Sequence, residues 1–280
     1  MKNKLRTIYM LFCVQVCFAQ AKVLNADGPG NTYELINSVL APGHNAVEPP
    51  DCAHASFGRH IEEVWDKELN KYVFKFHIHA AEDNDRFKKF DRQRNEIKTY
   101  NKSQDNLIGT VGETVIYKWK FKLDANFQPS DKFTHIHQIK AYGGAYDDMP
   151  VITLTLRGGK QQHFQVLHSD SISSIEVARA NLGMFKGTWV EVTETITYGV
   201  IGRYNVVIKK VTDDSVLLTY SNNHINTWRT GAEGVRPKWG IYRSLLNRDM
   251  LRDEEVLFAD FSIEEVDASA TKKPSTEHHK

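Results

Sequence analysis

The sequence is poor in cysteine. Of 280 residues only Cys13, Cys17 and Cys52 are cysteines. The first two fall in a stretch that reads as a leader, so the mature chain would keep Cys52 alone and no intrachain disulfide is possible. The fold must then be held by its core, for which a hydrophobic fraction of 41% is sufficient. Cys52 reads as a buried structural thiol rather than a nucleophile. Excess charge of one sign is also lacking. A formal net charge of +1 rules out a polycation, so any anion site must be a local patch, and nucleic acid is not an expected partner. Long apolar runs are missing too. Ile8 to Phe18 is too short to span a membrane. With Lys2, Lys4 and Arg6 before it and Ala19, Gln20 and Ala21 after it, residues 1–21 read as a cleaved secretory signal, which predicts a secreted or periplasmic protein. No internal repeat and no linker is visible. Residues 267–280 are polar, without apolar period, and read as a disordered tail. One domain is expected over residues 22–266.

What is present is alternation. In Lys71 to His79, Tyr72, Phe74, Phe76 and Ile78 point one way and Val73, Lys75, His77 and His79 the other. Val115, Tyr117, Trp119, Phe121 and Leu123 alternate with Lys118, Lys120 and Lys122. Ile152, Leu154 and Leu156 alternate with Thr153, Thr155 and Arg157. Further strands are predicted at 163–168, 189–198, 204–211, 216–220, 237–244 and 256–266. Residues 22–51 read as a lead-in that wraps the domain, ordered at Tyr33 to Ile36. Helical periodicity is scarce, with Ser174 to Leu182 the best candidate. The pattern predicts an all-β sandwich of antiparallel sheets.

Three predicted strands carry polar sets. On a strand at 92–100, Arg92, Arg94, Glu96, Lys98 and Tyr100 share one face, because side chains alternate. The other two are Phe133 to Lys140 and Lys238 to Ser244. Together they read as walls of one groove for an anionic polymer.

Arg94, Asn95, Glu96, Ile97 and Lys98 resemble the Arg-(Ser/Thr)-Glu-(Leu/Ile)-Arg strand of jelly-roll alginate lyases. His137, Gln138, Ile139 and Lys140 resemble their Gln-(Ile/Val)-His strand. Lys238, Trp239, Gly240, Ile241 and Tyr242 resemble the Lys-Ala-Gly-(Val/Ile)-Tyr part of their last signature. The three occur in the family's order. The wider group includes glucuronan lyases and heparinase I. The resemblance implies a concanavalin-like β-jelly roll with a concave groove, and a polysaccharide lyase acting on a uronic-acid polymer. Two positions depart from the family: its His after Gln-Ile is Lys140 here, and the Arg ending its first motif is Lys98. His135 or His137 is then the candidate for the missing imidazole.

The chemistry gives its own reason for these residue types. A uronate polymer is cut by removing the C5 proton and expelling the oxygen at C4. Neutralising the adjacent carboxylate stabilises the charge that develops. Arg94, Gln138 and Lys238 are suited to this. Lys140, Lys98, Arg92, Arg157 and Arg243 are further candidate substrate contacts, and Glu96 would orient Arg94. Tyr242 is the candidate proton-transfer group, its phenol depressed by cations, with Gly240 leaving space for a sugar ring and Trp239 and Ile241 facing the core. Register leaves the imidazole open. If Gln138 and Lys140 face the groove, His135 and His137 face away, unless a bulge intervenes.

His77/His79 and His135/His137 are spaced to share a strand face and bind zinc; no cysteine cluster accompanies them to close a structural site, which leaves a His–carboxylate site as the alternative, and no metal is expected at the groove. Glu82 to Asp85 and Asp147–Asp148 read as turns, with structural calcium the one ion they suggest. No cofactor is expected. The expected partner is an anionic polysaccharide, met by a monomer. A non-catalytic carbohydrate-binding jelly roll is the alternative. A glycoside hydrolase ranks lower: its chemistry needs two carboxylates flanking the bond, and Glu62, Glu63, Asp66 and Glu68, though close in sequence, do not give the same-face Glu-x-Asp-x-x-Glu strand of such hydrolases.

Overall fold

A computed structural model describes residues 21–266. The expected signal (apart from Ala21) and the expected tail lie outside them. In chain order the elements are β1 (Lys22–Leu24), α1 (Thr32–Leu40), β2 (Val47–Glu48), β3 (Ile61–Asp66), β4 (Lys71–Ile78), β5 (Arg92–Lys98), β6 (Thr114–Leu123) and β7 (Thr134–Tyr142). Then follow β8 (Ile152–Arg157), β9 (His163–His168), β10 (Ile175–Asn181), β11 (Trp189–Thr197), β12 (Gly202–Lys210), β13 (Val216–Ile225), β14 (Gly234–Ser244) and β15 (Glu254–Val266).

Two antiparallel sheets pack face to face. One runs β13-β12-β11-β6-β15-β4-β3, with β1 also paired to β15. The other, which carries the groove, runs β10-β9-β8-β7-β14-β5-β2. The alternating residues explain the layering. Phe74, Phe76 and Ile78 from β4 and Tyr117, Trp119 and Phe121 from β6 are fully buried against Ile136, Ile152, Leu154, Trp239 and Ile241 of the groove sheet. Burying each large apolar side chain is worth about 1.5–3 kcal/mol, which is how the chain dispenses with a disulfide.

Three elements differ from expectation. Ser174 to Leu182 is not a helix: Ile175–Asn181 forms the edge strand β10 on β9, with a register shift at Val177. So short a window does not separate a period of 3.6 from one of 2, and pairing with β9 decides. The lead-in is more structured than expected. Its ordered piece extends into α1, which buries Ile36 and Leu40, four apart, on one face. Its ends add β1 to one sheet and β2 to the other. β3 was not anticipated. Cys52 is exposed, in the loop after β2, and not part of the core.

Candidate active site

β5, β14 and β7 lie side by side, and their register builds the groove floor. Tyr242 pairs with Arg94, Gly240 with Glu96 and Lys238 with Lys98. On the other flank Lys238 pairs with Gln138, and Tyr242 with His135. His135 and Gln138 are three residues apart and still share the face, because β7 carries one extra residue, Ile136, between the residues paired to Thr155 and Leu154 of β8. A bulge of this kind re-aims the side chains on either side of it. It brings His135 into the groove and sends His137 into the core. Opposite β7 the ladder also slips on β14, between Trp239 and Tyr242. There Gly240 has φ +142°, and a Cβ on it would lie 2.1 Å from the Asn95 carbonyl oxygen. Gly240 is therefore demanded by close approach of β5; space for a sugar ring is not the reason.

The resulting cavity encloses about 520 Å³. Arg92, Arg94, His135, Gln138, Lys140, Arg157, Lys238 and Tyr242 all line it. Two expected contacts do not. Lys98 is drawn aside to Glu48, Nζ to Oε1 2.8 Å, and Glu96 lies beneath the floor, 1% exposed. Two more expectations are corrected outright. His137 is fully buried between the sheets, its Nε2 3.0 Å from Glu194 Oε2, which also accepts from Trp119. Arg243 follows Tyr242 and so points to the opposite face, where it donates to Gln93 Oε1 at 2.9 and 2.7 Å and to the Arg252 carbonyl. Burial pushes its guanidinium down to about 10.

Beneath the floor is a layer of compensated charge. Glu96 accepts from Arg94 and Gln138, and its Oε2 lies 3.0 Å from Lys238. Glu48, directly across from Glu96 on β2, takes Lys238 at 2.6 Å, Lys98 at 2.8 Å and Arg86 at 3.0 Å. Two neighbouring buried carboxylates would repel, but four cations bind them together. Burial alone would raise both; Lys238, with Lys98 and Arg86 at Glu48 and Arg94 at Glu96, outweighs it and holds each below its ordinary value. Arg94 also donates Nε to Asp85 at 3.0 Å. Arg94 and Lys238 are thus largely committed to carboxylates of the protein itself.

Above this layer sit the reactive groups. The Arg94 guanidinium lies 3.8 Å from the centroid of the Tyr242 ring, and Arg92 Nη1 donates to the Tyr242 hydroxyl at 2.9 Å. The net effect on the phenol is opposite to expectation. Burial raises it, and Arg94 and Arg92 only partly offset this. The His135 ring centroid is 5.8 Å from that of Tyr242, and its Nδ1 is buried without a hydrogen-bond partner among the described residues. Burial, helped by Arg157, pushes the imidazole down to about 3. The Lys140 ammonium has neither a hydrogen bond nor an ion pair among the described residues, and burial, with Lys238 and Arg94 nearby, lowers it.

Sequence reasoning did not assign several groove residues. Glu48 lay in a lead-in with no strand signal. Asp85 was visible only as part of an acidic turn. Phe133, Thr153 and His168 line the groove walls, and His168, at the end of β9, has its Nε2 2.7 Å from the Asn226 carbonyl oxygen. Calcium has little to hold at Glu82 to Asp85, since Asp83 faces histidines and Asp85 faces Arg94 and Arg86.

Residues 70–262 match the profile of a family described as polysaccharide lyase. No curated protein sequence matches. Among solved structures, an endo-β-1,4-glucuronan lyase from the fungus Trichoderma reesei is similar, with 16% identity and a TM-score of 0.52, covering 73% of this chain and 86% of that one. A family 14 alginate lyase from Aplysia kurodai has 12% identity and a TM-score of 0.57, covering 89% and 99%. An alginate lyase from Pseudomonas aeruginosa has 13% identity and a TM-score of 0.50, covering 73% and 86%. At such identities the likeness is one of fold, the lyase jelly roll.

Proposed function

Because the chain belongs to the polysaccharide lyase family, we propose that its groove takes a uronic-acid-containing polysaccharide and breaks it by β-elimination. The observation that carries this is the cross-strand pair of His135 and Tyr242 on a floor lined with cations. The imidazole is neutral and the phenol protonated at ordinary pH, so the two groups stand ready as base and acid. His135 takes the proton from C5. The C5–H electron pair becomes the C4–C5 double bond, the C4–O bond breaks, and Tyr242 protonates the departing oxygen. Atoms balance without water or cofactor.

A free imidazole pushed down to about 3 is a weak base. The substrate corrects this, because a uronate carboxylate seated among Lys140, Arg157 and Arg92 partly cancels their charge and raises the imidazole. Lys140 and Arg157 are the better partners for that carboxylate, since Lys238 and Arg94 already serve Glu48, Glu96 and Asp85. Lys140 stands where alginate lyases of this type carry histidine, so a cation replaces an imidazole as the neutralising group. A hydrolase would need two carboxylates flanking the bond. Glu96 and Glu48 are instead sealed in ion pairs below the floor.

A secreted or periplasmic location accords with a polymeric substrate and with the basic–apolar start of the sequence. Among the described residues no helix is long and apolar enough to cross a membrane.

The test is ultraviolet absorbance of unsaturated product from alginate, glucuronan, heparin, hyaluronan and ulvan. At least one should be cut. Tyr242→Phe should keep the fold, at a cost of about 1 kcal/mol for the lost hydrogen bond, while turnover on that polymer falls on the order of a hundredfold. No unsaturated product from any polymer would overturn the uronate reading. Near-normal turnover by the Phe variant would remove Tyr242 from the reaction.

A further inference from the structure

Four donors that the groove chemistry does not use converge behind β5. His54 comes from the loop after β2, His60 directly precedes β3, His79 directly follows β4, and Asp83 lies between β4 and β5. Their ligand atoms all lie within 4.8 Å of one another. Asp83 is the hub. Its Oδ1 is 3.2 Å from His54 Nδ1 and 3.1 Å from His60 Nε2, and its Oδ2 is 3.2 Å from His79 Nδ1. Zinc binds imidazole nitrogen and carboxylate oxygen at about 2.0–2.2 Å, which makes the edges of a tetrahedral ligand set about 3.3 Å. The two edges at Asp83 Oδ1 are close to that length, and His79 meets the other oxygen of the same carboxylate. We infer that His54, His60, His79 and Asp83 form a structural site for one zinc ion.

The surroundings point the same way. The second ring nitrogen of His60, Nδ1, lies 2.9 Å from Asp51 Oδ1, and Tyr33 donates its hydroxyl to Asp51 Oδ2 at 2.9 Å. A metal-bound imidazole commonly gives its other N–H to a carboxylate, which fixes the ring. The Phe57 ring sits 4.3 Å from the His79 ring centroid and 4.7 Å from that of His60, an apolar cover over the cluster. His60 and Asp83 are buried, while His54 and His79 are half-buried and leave a way in. Three imidazoles and a carboxylate suit a first-row transition ion of the zinc type and not calcium, which takes oxygen. All four positions are filled by protein, as in sites that hold structure and not in sites that bind a reacting water.

Such an ion would clamp the lead-in onto β4 and onto the connection that carries Asp85 to Arg94. It would also brace β5 from behind. The Gln93 side chain donates to the Asp83 carbonyl at 3.2 Å and accepts from Arg243, which is the residue after Tyr242. The site is thus a positioning device and has no part in the elimination itself. It does not depend on which polymer the groove takes.

The experiment strips the untagged chain with chelator, reloads it with zinc, dialyses it and counts metal by mass spectrometry. A parallel sample receives cobalt(II). About one zinc per chain should be retained, cobalt should give the intense visible bands of tetrahedral coordination, and the melting temperature should rise with zinc and fall with chelator. His54→Gln combined with His79→Gln should weaken zinc binding at least about tenfold and abolish the tetrahedral cobalt bands. Two results would overturn the site. One is a folded wild-type chain that retains no zinc and shows only weak octahedral cobalt absorption, which would leave Asp83 as a hydrogen-bonded hub. The other is equal zinc retention by the double variant. If that variant does not fold, the wild-type cobalt spectrum alone decides.

Discussion

His135 and His137 are two residues apart and face opposite surroundings. Strict alternation would have put both on one side, and nothing in the letters marks the extra residue at Ile136. The difference has a measurable consequence. His135 is neutral well below neutral pH because burial and Arg157 oppose its protonation, and Tyr242 keeps its proton to above the ordinary phenol value. The base must be unprotonated and the acid protonated, so kcat/KM should show no acidic limb at the ordinary imidazole value of about 6.5, and its alkaline decline should begin with Lys140, whose ammonium burial lowers, before Tyr242, whose phenol burial raises. The acidic limb of kcat, which reports the complex, should lie at higher pH than that of kcat/KM, because the bound carboxylate raises the imidazole. A kcat/KM limb centred near 6.5 would exclude His135 as the base. Where the ladder is regular, alternation holds: Arg94, Lys238 and Tyr242 follow unbroken β5–β14 pairing and share the groove. The same parity puts Arg243 on the far side, as its position next to Tyr242 required.

At the level of elements, what could be read depended on how much apolar surface a strand carried. β4 and β6 announce themselves through large residues at every second position. β2 is two residues long and β3 mixes Glu62 and Glu63 with Ile61 and Val64, so neither stands out, and with β2 went Glu48, the carboxylate that collects four cations. Gly240 is the opposite case: the sequence marked it, but for the wrong reason. Its backbone is pressed against Asn95 and Glu96 with φ in the region that L side chains avoid. Gly240→Ala should therefore destabilise the fold by about 1–3 kcal/mol, read as a lower urea midpoint with an unchanged slope. A variant as stable as the wild type would show that β14 and β5 can part here at no cost. Activity should fall with it, since Tyr242 and Lys238 flank the pinch.

Over the whole molecule the strand order differs sharply from the order of synthesis. β15, the last of the described strands, sits inside its sheet between β6 and β4, and it also receives β1, the first of them. Without residues 254–266 the hydrogen-bonding edges of β4 and β6 stay open, and Phe76, Phe121 and Trp119 lose the cover of Val256 and Phe258. A chain ending at Asp253 should accumulate as insoluble or dye-binding material and not as a folded, less stable protein; a soluble product with native β circular dichroism would contradict this. Long-range pairing of this kind is slow to form. Residues 254–266 must be made before the sandwich can close, and a chain proposed to leave the cytoplasm thereby keeps an interval in which it is still thin enough to thread through a pore. The placing of β15 acts as a clock.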